Sequence, residues 1–313
     1  METTSELVSL SHPWLLIRYS KDETNIKEGN ILFNVSDNKY YKDIIPDVQD
    51  KVVCTSFGGW FMLKDDNESK DYCLLNPISA KRLELPSLEC GGDIYYILSS
   101  SPLNSNCYVL CISNWEKAIW FCQPGDEKFT KQETFNSLYS PTMFQGKLYC
   151  ATGRYQLVAI DFKGLELEFT TISTEHDHFD IYGNTLFSRM LNQNYLIEFH
   201  GELLYVSKVY YGFYNGDVAT FIVSKFDLSR NRWMKMDTIG NWAIFLSLEK
   251  GTCCIAEEKA GVKKNSIYFL DKQDDGCLYI YDIEDDSVSM SLCCGDIHES
   301  DIMGFEWIRF VDQ

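Results

Sequence analysis

Short apolar runs separated by clusters of Gly, Asn, Asp, Ser and Pro follow one another along nearly the whole chain. Runs of this kind, bounded by turn formers, are the signature of β-strands. One phrase recurs in variant form. "FDLSRNRWMKM" at 226–236 is echoed by "FNVSDNKYY" from Phe33, "LLNPISAKRLEL" from Leu74, "FCQPGDEKF" from Phe121, "AIDFKGLELEF" from Ala159 and "IYDIEDDSV" from Ile280. Each is a β-rich run, a polar turn and a second run, which predicts an antiparallel hairpin.

The hairpins fall inside larger units. Strands are predicted at 52–57, 60–64, 72–76 and 82–85, with a turn at Gly58-Gly59 between the first two. The next unit has 94–99, 107–113, 118–123 and 128–132. A third starts at Thr142, turns at Gln145-Gly146 into 147–151, and continues with 157–161 and 167–172. A fourth has 195–199, a turn at His200-Gly201, 203–209, 221–227 and 232–236. The last has 243–248, 267–271, 278–282 and 288–292. Repeats of about 40 to 60 residues, each a four-stranded antiparallel meander, predict a β-propeller, whose radial packing leaves only short, protected strand edges. The recurring phrase is then the hairpin between the third and fourth strands of a blade.

The N-terminal unit, 14–19, 31–35 and 40–45, lacks an innermost strand. The C-terminal "FEWIRFV", 305–311, supplies it most economically. The expected fold is all-β: a six-bladed propeller of four-stranded antiparallel blades, one domain over 1–313, closed by the C-terminal strand completing the first blade. An irregular β-sandwich and a seven-bladed ring with one degenerate blade are the alternatives.

Composition agrees with a globular chain. Of 313 residues, 45% are hydrophobic and 14% aromatic, enough for a large core. No window is long and apolar enough for a membrane helix, and "METTSELVSLSHPW" has neither a secretory nor a transit pattern, so a cytoplasmic or nuclear address is expected. The 12 cysteines lie within strand-like runs such as "NCYVLCISN" and read as buried reduced thiols; the adjacent pairs Cys253-Cys254 and Cys293-Cys294 point to opposite strand faces and make poor chelates. No CxxC is present, and neither a metal nor a cofactor is expected. The net charge of −18 disfavours nucleic acid and suits a partner with a basic surface.

"SFGGWFML", "LLNPISAKRLELPSL", "IEFHGELLYV", "FDLSRNRWMKMDTIGNWAIFLS" and "GVKKNSIYFLD" resemble the plant KIB-type, F-box-associated propeller family, in order and over nearly the whole chain from His12. The resemblance, a kelch-like one in architecture, implies a propeller that recognises a protein and, when joined to an F-box, delivers it to a cullin ubiquitin ligase. The first propeller motif, "SHPWLLI", begins at Ser11, so no F-box module is expected ahead of it.

Catalytic motifs of the GxSxG, Walker, HExxH and GxGxxG types are absent. The segment "TEHDHFD" at 174–180 places His176 and His178 on one face of an extended strand, which suits a metal or an acid/base pair; a solvated acidic loop is the plainer reading. The connection 175–190 and the loop "YYGFYNGD" at 210–217 are expected to project from one face over two adjacent blades. They would gather Tyr210, Tyr211, Phe213, Tyr214 and Arg189 into a binding surface beside the histidines. The insertion "EKGTCCIAEEKAGVKKN" is expected as a loop on the opposite face. Two functions follow. One is a protein-recognition module resembling F-box-associated substrate receptors; the other is a plant specialised-metabolism enzyme with a small-molecule site at the channel mouth.

Overall fold

The computed structural model describes residues 12–21, 27–36, 38–42, 45, 48, 51–65, 71–152, 156–173, 175–176, 192–210, 218–247, 250–257, 261–270, 277–292 and 302–310. Among the described residues the regular elements are 26 β-strands in six sheets, and no helix is long and apolar enough to cross a membrane.

Two kinds of turn build the hairpins. At Gly58-Gly59, Gln145-Gly146 and His200-Gly201 both residues have positive φ, between 49° and 78°, and the flanking pairs are Phe57↔Trp60, Phe144↔Lys147 and Phe199↔Glu202. These are two-residue turns whose backbone twist matches that of the strands they join. The recurring phrase has its own chemistry. Asp227 accepts from the N–H groups of Ser229 at 2.9 Å and Arg230 at 3.3 Å, and Asn231 adopts φ 51°. Asn34, Asn76 and Asp282 do the same for Ser36, for Ile78 and Ser79, and for Glu284 and Asp285. In each case the residue four positions on, Asn38, Ala80 or Asp286, has positive φ. A short side-chain acceptor closes the turn locally, which is why Asn and Asp recur there.

The chain divides into two compact units, 1–137 with 259–261 and 300–313, and 138–258 with 262–299. The first holds three blades. In blade one, β1 (Trp14–Lys21), β2 (Lys27–Asn34) and β3 (Lys39–Lys42) are joined by the C-terminal β26 (Ile302–Ile308), which pairs antiparallel with β1 through Trp14↔Ile308 and Ile17↔Phe305. Blade two is β4 (Lys51–Phe57), β5 (Trp60–Asp65), β6 (Tyr72–Asn76) and β7 (Lys81–Leu85). Blade three is β8 (Ile94–Leu98), β9 (Val109–Ser113), β10 (Ala118–Cys122) and β11 (Thr130–Glu133). Alternate residues of β5 serve two cores. Phe61 and Leu63 pack with Trp14, Ile308 and Phe310 of blade one, whereas Trp60 and Met62 pack with Leu98, Val109 and Trp120 of blade three. A strand buried on both faces must be apolar without alternation, and "WFML" is.

The second unit repeats the scheme. Blade four is β12 (Tyr139–Phe144), β13 (Lys147–Ala151), β14 (Gln156–Lys163) and β15 (Glu166–Ser173). Blade five runs from β17 (Asn192–Phe199) through β18 (Glu202–Tyr210) and β19 (Val218–Asp227) to β20 (Arg232–Met236). Leu196, Tyr205, Phe226 and Trp233 face Phe144 and Tyr149 of blade four. Tyr195, Ile197, Val206 and Phe221 face Ile244, Leu246 and Phe269 of blade six. The six sheets are the blades of a six-bladed β-propeller, with β26 completing the first.

Blade six departs from the expectation. Its order is β22 (Gly251–Ile255), β21 (Trp242–Leu246), β23 (Ser266–Leu270), β24 (Leu278–Asp282) and β25 (Ser287–Leu292), with β21 and β23 parallel. The "TCCI" expected in a projecting loop is a strand in the hairpin with β21, and its Cys253 enters the core beside Ile197. Blade five also gains a fifth strand, β16 (Glu175–His176), parallel to β20 at its outer edge.

The thiols need one correction as well. Nine described cysteines are free, and burial pushes the Cys111 and Cys150 thiols well up, Cys122 to about 12 and Cys90 to about 11. Cys277, buried before β24, is disulfide-bonded. Cys293 and Cys294 lie outside the described residues. Of 12 cysteines, 12 − 2 = 10 should therefore react with a thiol reagent in denaturant without reductant, and all 12 after reduction. A count of 12 without reductant would contradict the disulfide.

Candidate functional site

The strands of blade three present one turn unlike the others. Ser113 and Ala118 pair at the ends of β9 and β10, leaving 114–117, "NWEK", as a four-residue connection between the second and third strands. Ser113 acts at its start as Asp227 does in blade five: its Oγ accepts the Glu116 N–H at 3.2 Å, and Lys117, four positions on, has φ 47°. The same Oγ donates to the Gly91 carbonyl at 2.9 Å. The Glu116 carboxylate accepts the Gly91 N–H at 2.8 Å and the Lys131 ammonium at 3.2 Å, and Lys131 lies 4.7 Å from the Trp120 ring centre. The Gly91 N–H, and then Lys131, hold the Glu116 carboxyl below its usual range.

These contacts fasten a turn whose tip is apolar. Trp115 is 83% exposed. Its Cβ lies against Gly92, where a side chain's first carbon would stand 2.8 Å away and where φ is +78°, so only glycine fits. The Thr134 N–H donates to the Lys117 carbonyl at 2.7 Å, which ties the end of β11 to the same turn, and the next residue, Phe135, is 99% exposed. Trp115 stands on backbone fastened on both sides, with Phe135 next to the tied Thr134, so little loop entropy remains to be lost on binding.

The residues singled out from sequence lie elsewhere. Tyr211, Phe213, Tyr214, Arg189 and His178 fall outside the described residues. Tyr210 ends β18 half-buried; its hydroxyl donates to Gln193 Oε1 at 3.0 Å, and the buried Lys208 ammonium lies 5.0 Å from its ring centre. Its ring and hydroxyl are thus engaged within the protein. His176 lies on β16, its backbone paired with Trp233. The neighbouring row through Met234 and Lys225 reaches β18 at Leu204, six residues before Tyr210, or about 20 Å of strand. The structure thus puts His176 and Tyr210 at different ends of blade five. Among the described residues, no group of three or more His, Cys, Asp or Glu is arranged to hold a metal ion.

Comparison with known proteins now bears on the fold. Residues 32–287, more than half of the chain, match the family described as KIB1-4 beta-propeller. The chain belongs to this family. Two curated relatives are putative F-box proteins of Arabidopsis thaliana. One is 25% identical over 308 residues, covering 87% of this chain and 76% of the relative; the other is 23% identical over 320 residues, covering 88% and 76%. An F-box/kelch-repeat protein of the same plant is 23% identical over 273 residues, covering 82% and 70%. Among solved structures, BamB from Moraxella catarrhalis aligns with a TM-score of 0.42 and 11% identity over 90% of this chain and 83% of its own. In this family member, Trp115 and Phe135 escaped the reading of the sequence. An aromatic inside a turn between two apolar strands was the available signal.

Proposed function

We propose that this propeller is a protein-recognition module that engages its partner through aromatic turns projecting from its blades. The observation that carries the reading is a pair of exposed aromatics on blade three, Trp115 on the fastened turn and Phe135 just after β11. Relatedness to plant F-box proteins supports a role in protein interaction. Burial raises the pKa values of the Cys111, Cys122 and Cys150 thiols, which lowers the thiolate fraction these three would need as nucleophiles. The loop 211–217 belongs to the same reading as a second contact region on blade five, with Tyr211 and Phe213 as anchors.

The test is affinity purification of the tagged full-length chain from its native tissue, with proteomics and metabolite profiling of one eluate. A protein retained in near-stoichiometric amount is expected. Tyr211→Ala or Phe213→Ala should weaken it by roughly 1 to 4 kcal/mol while leaving the melting temperature nearly unchanged. Retention of a small molecule with no protein would sink the proposal and favour an active site in the propeller.

A further inference from the structure

The surroundings of Trp115 specify more than an aromatic anchor. Glu89 and Asp93 flank Gly91 and Gly92, Glu133 precedes Thr134, and all three are exposed. With Glu116 they make four carboxylates around the turn, against three cations, Lys117, Lys131 on β11 and Lys64 near Cys90, so 4 − 3 leaves one negative charge in excess. One of these cations is already engaged, since Lys131 is paired with Glu116 and lies over Trp120. Trp115 therefore offers an indole in an acidic setting, on a chain whose net charge is −18.

We propose that the blade-three turn 114–117, together with Phe135, is the docking site for a basic segment of the partner protein, one that presents Lys or Arg to Trp115. The inference rests on the recognition reading above and names the partner's chemistry. A guanidinium or ammonium is attracted to the face of an indole, and the exposed carboxylates beside it answer the remaining positive charge. An acidic segment meets like charge. A wholly apolar one strips water from Asp93 and Glu133 without replacing their hydrogen bonds. A single-stranded nucleic acid can stack its bases on Trp115 and Phe135, but its phosphates face the same carboxylates.

The turn is built to hold this position. Ser113, Glu116, Gly91 and Thr134 close hydrogen bonds on both sides of Trp115, so the aromatic is presented before a partner arrives. The arrangement contrasts with Tyr210 on blade five, whose ring and hydroxyl are occupied from within the protein.

A random dodecapeptide display library panned on the full-length chain, with Trp115→Ala as the counter-target, tests the proposal. Recovered peptides should be enriched in Lys and Arg. Measured by fluorescence anisotropy, they should bind the unaltered chain roughly tenfold or more tightly than Trp115→Ala or Phe135→Ala, and lose affinity as salt is raised. Both variants should keep the melting temperature, because the side chains removed are exposed. Enrichment of acidic or apolar sequences, equal binding to the variants, preferential binding of an oligothymidylate, or no enrichment would each overturn it. The affinity purification separates this failure from that of the recognition reading. A partner retained equally by Trp115→Ala sinks the blade-three site alone, whereas no partner on the unaltered chain sinks recognition itself.

Discussion

A chain ending at Gly304 loses the cooperative fold of the unit that holds blades one to three. The truncation takes away most of β26, and with it the pairs from Ile17↔Phe305 to Trp14↔Ile308. Strand β1 becomes an edge with unpaired backbone, although Leu15 and Ile17 beside it are almost fully buried. The side chains lost are equally deep. Ile308 is 0% exposed, Phe310 2% and Trp307 6%; Phe310 meets the Trp14 ring edge-on at 5.7 Å and Phe61 at 5.9 Å. Truncating a buried Ile costs about 2 to 5 kcal/mol, and a buried Phe or Trp about 3 to 5. The three together reach about 8 to 15 kcal/mol, the same size as the whole stability of a typical domain. Circular dichroism melts should show the transition lost or moved far down, while a chain ending at Phe310 melts like the full protein. Equal melting temperatures for the chains ending at Gly304 and Phe310 would refute the role of β26 in closing blade one.

Closure by a C-terminal strand was legible because two incomplete patterns were complementary: the first unit lacked a strand and "FEWIRFV" had no unit of its own. The blades were legible because their strands are buried on both faces, so apolar runs such as "WFML" and "VLCIS" end abruptly at turn residues. Strand ends were less visible. Apolarity placed one strand at 195–199, whereas β17 begins at Asn192, since Gln193 and Asn194 continue the ladder with Lys208 and Ser207 although their side chains are polar. Backbone pairing does not require apolar side chains, and hydrophobic pattern alone stops where they stop.

The proposed contact surface was harder to read for a different reason. The segments 174–180 and 210–217 stand out in the sequence by their Tyr and His content and by the expected placement of their connections on one face of adjacent blades. Which side chains stand free depends on what the neighbouring strand supplies. Gln193 and Lys208 occupy Tyr210, whereas Gly91 bonds to Glu116 and Gly92 lies against the Trp115 Cβ, which leaves the indole in solvent. Neither relation is local in sequence. The insertion in blade six was misread similarly: Gly251 to Ile255 resembles a loop until Trp242 to Leu246 is placed beside it as a partner.

Gly59→Ala should destabilise the first unit far more than a substitution at an otherwise similar turn. Gly59 and Gly146 each occupy the second position of a two-residue turn, with φ of +75° and +77°. An alanine at either must adopt the left-handed region, which costs about 1 to 2 kcal/mol. At Gly146 nothing lies within 4 Å of the added carbon, so that term stands alone. At Gly59 the carbon would sit 2.4 Å from the Phe310 carbonyl oxygen and 3.2 Å from its carbonyl carbon. Both neighbours are backbone, and Phe310 cannot move without leaving the pocket formed with Trp14 and Phe61. Overpacking of this kind adds about 1 to 3 kcal/mol, for a total of about 2 to 5. Urea unfolding of the two variants should therefore give a midpoint for Gly59→Ala clearly below that of Gly146→Ala. Equal midpoints would mean that the segment after β26 does not lie against the blade-two turn, and the account of how the C-terminal strand is anchored would fail with it.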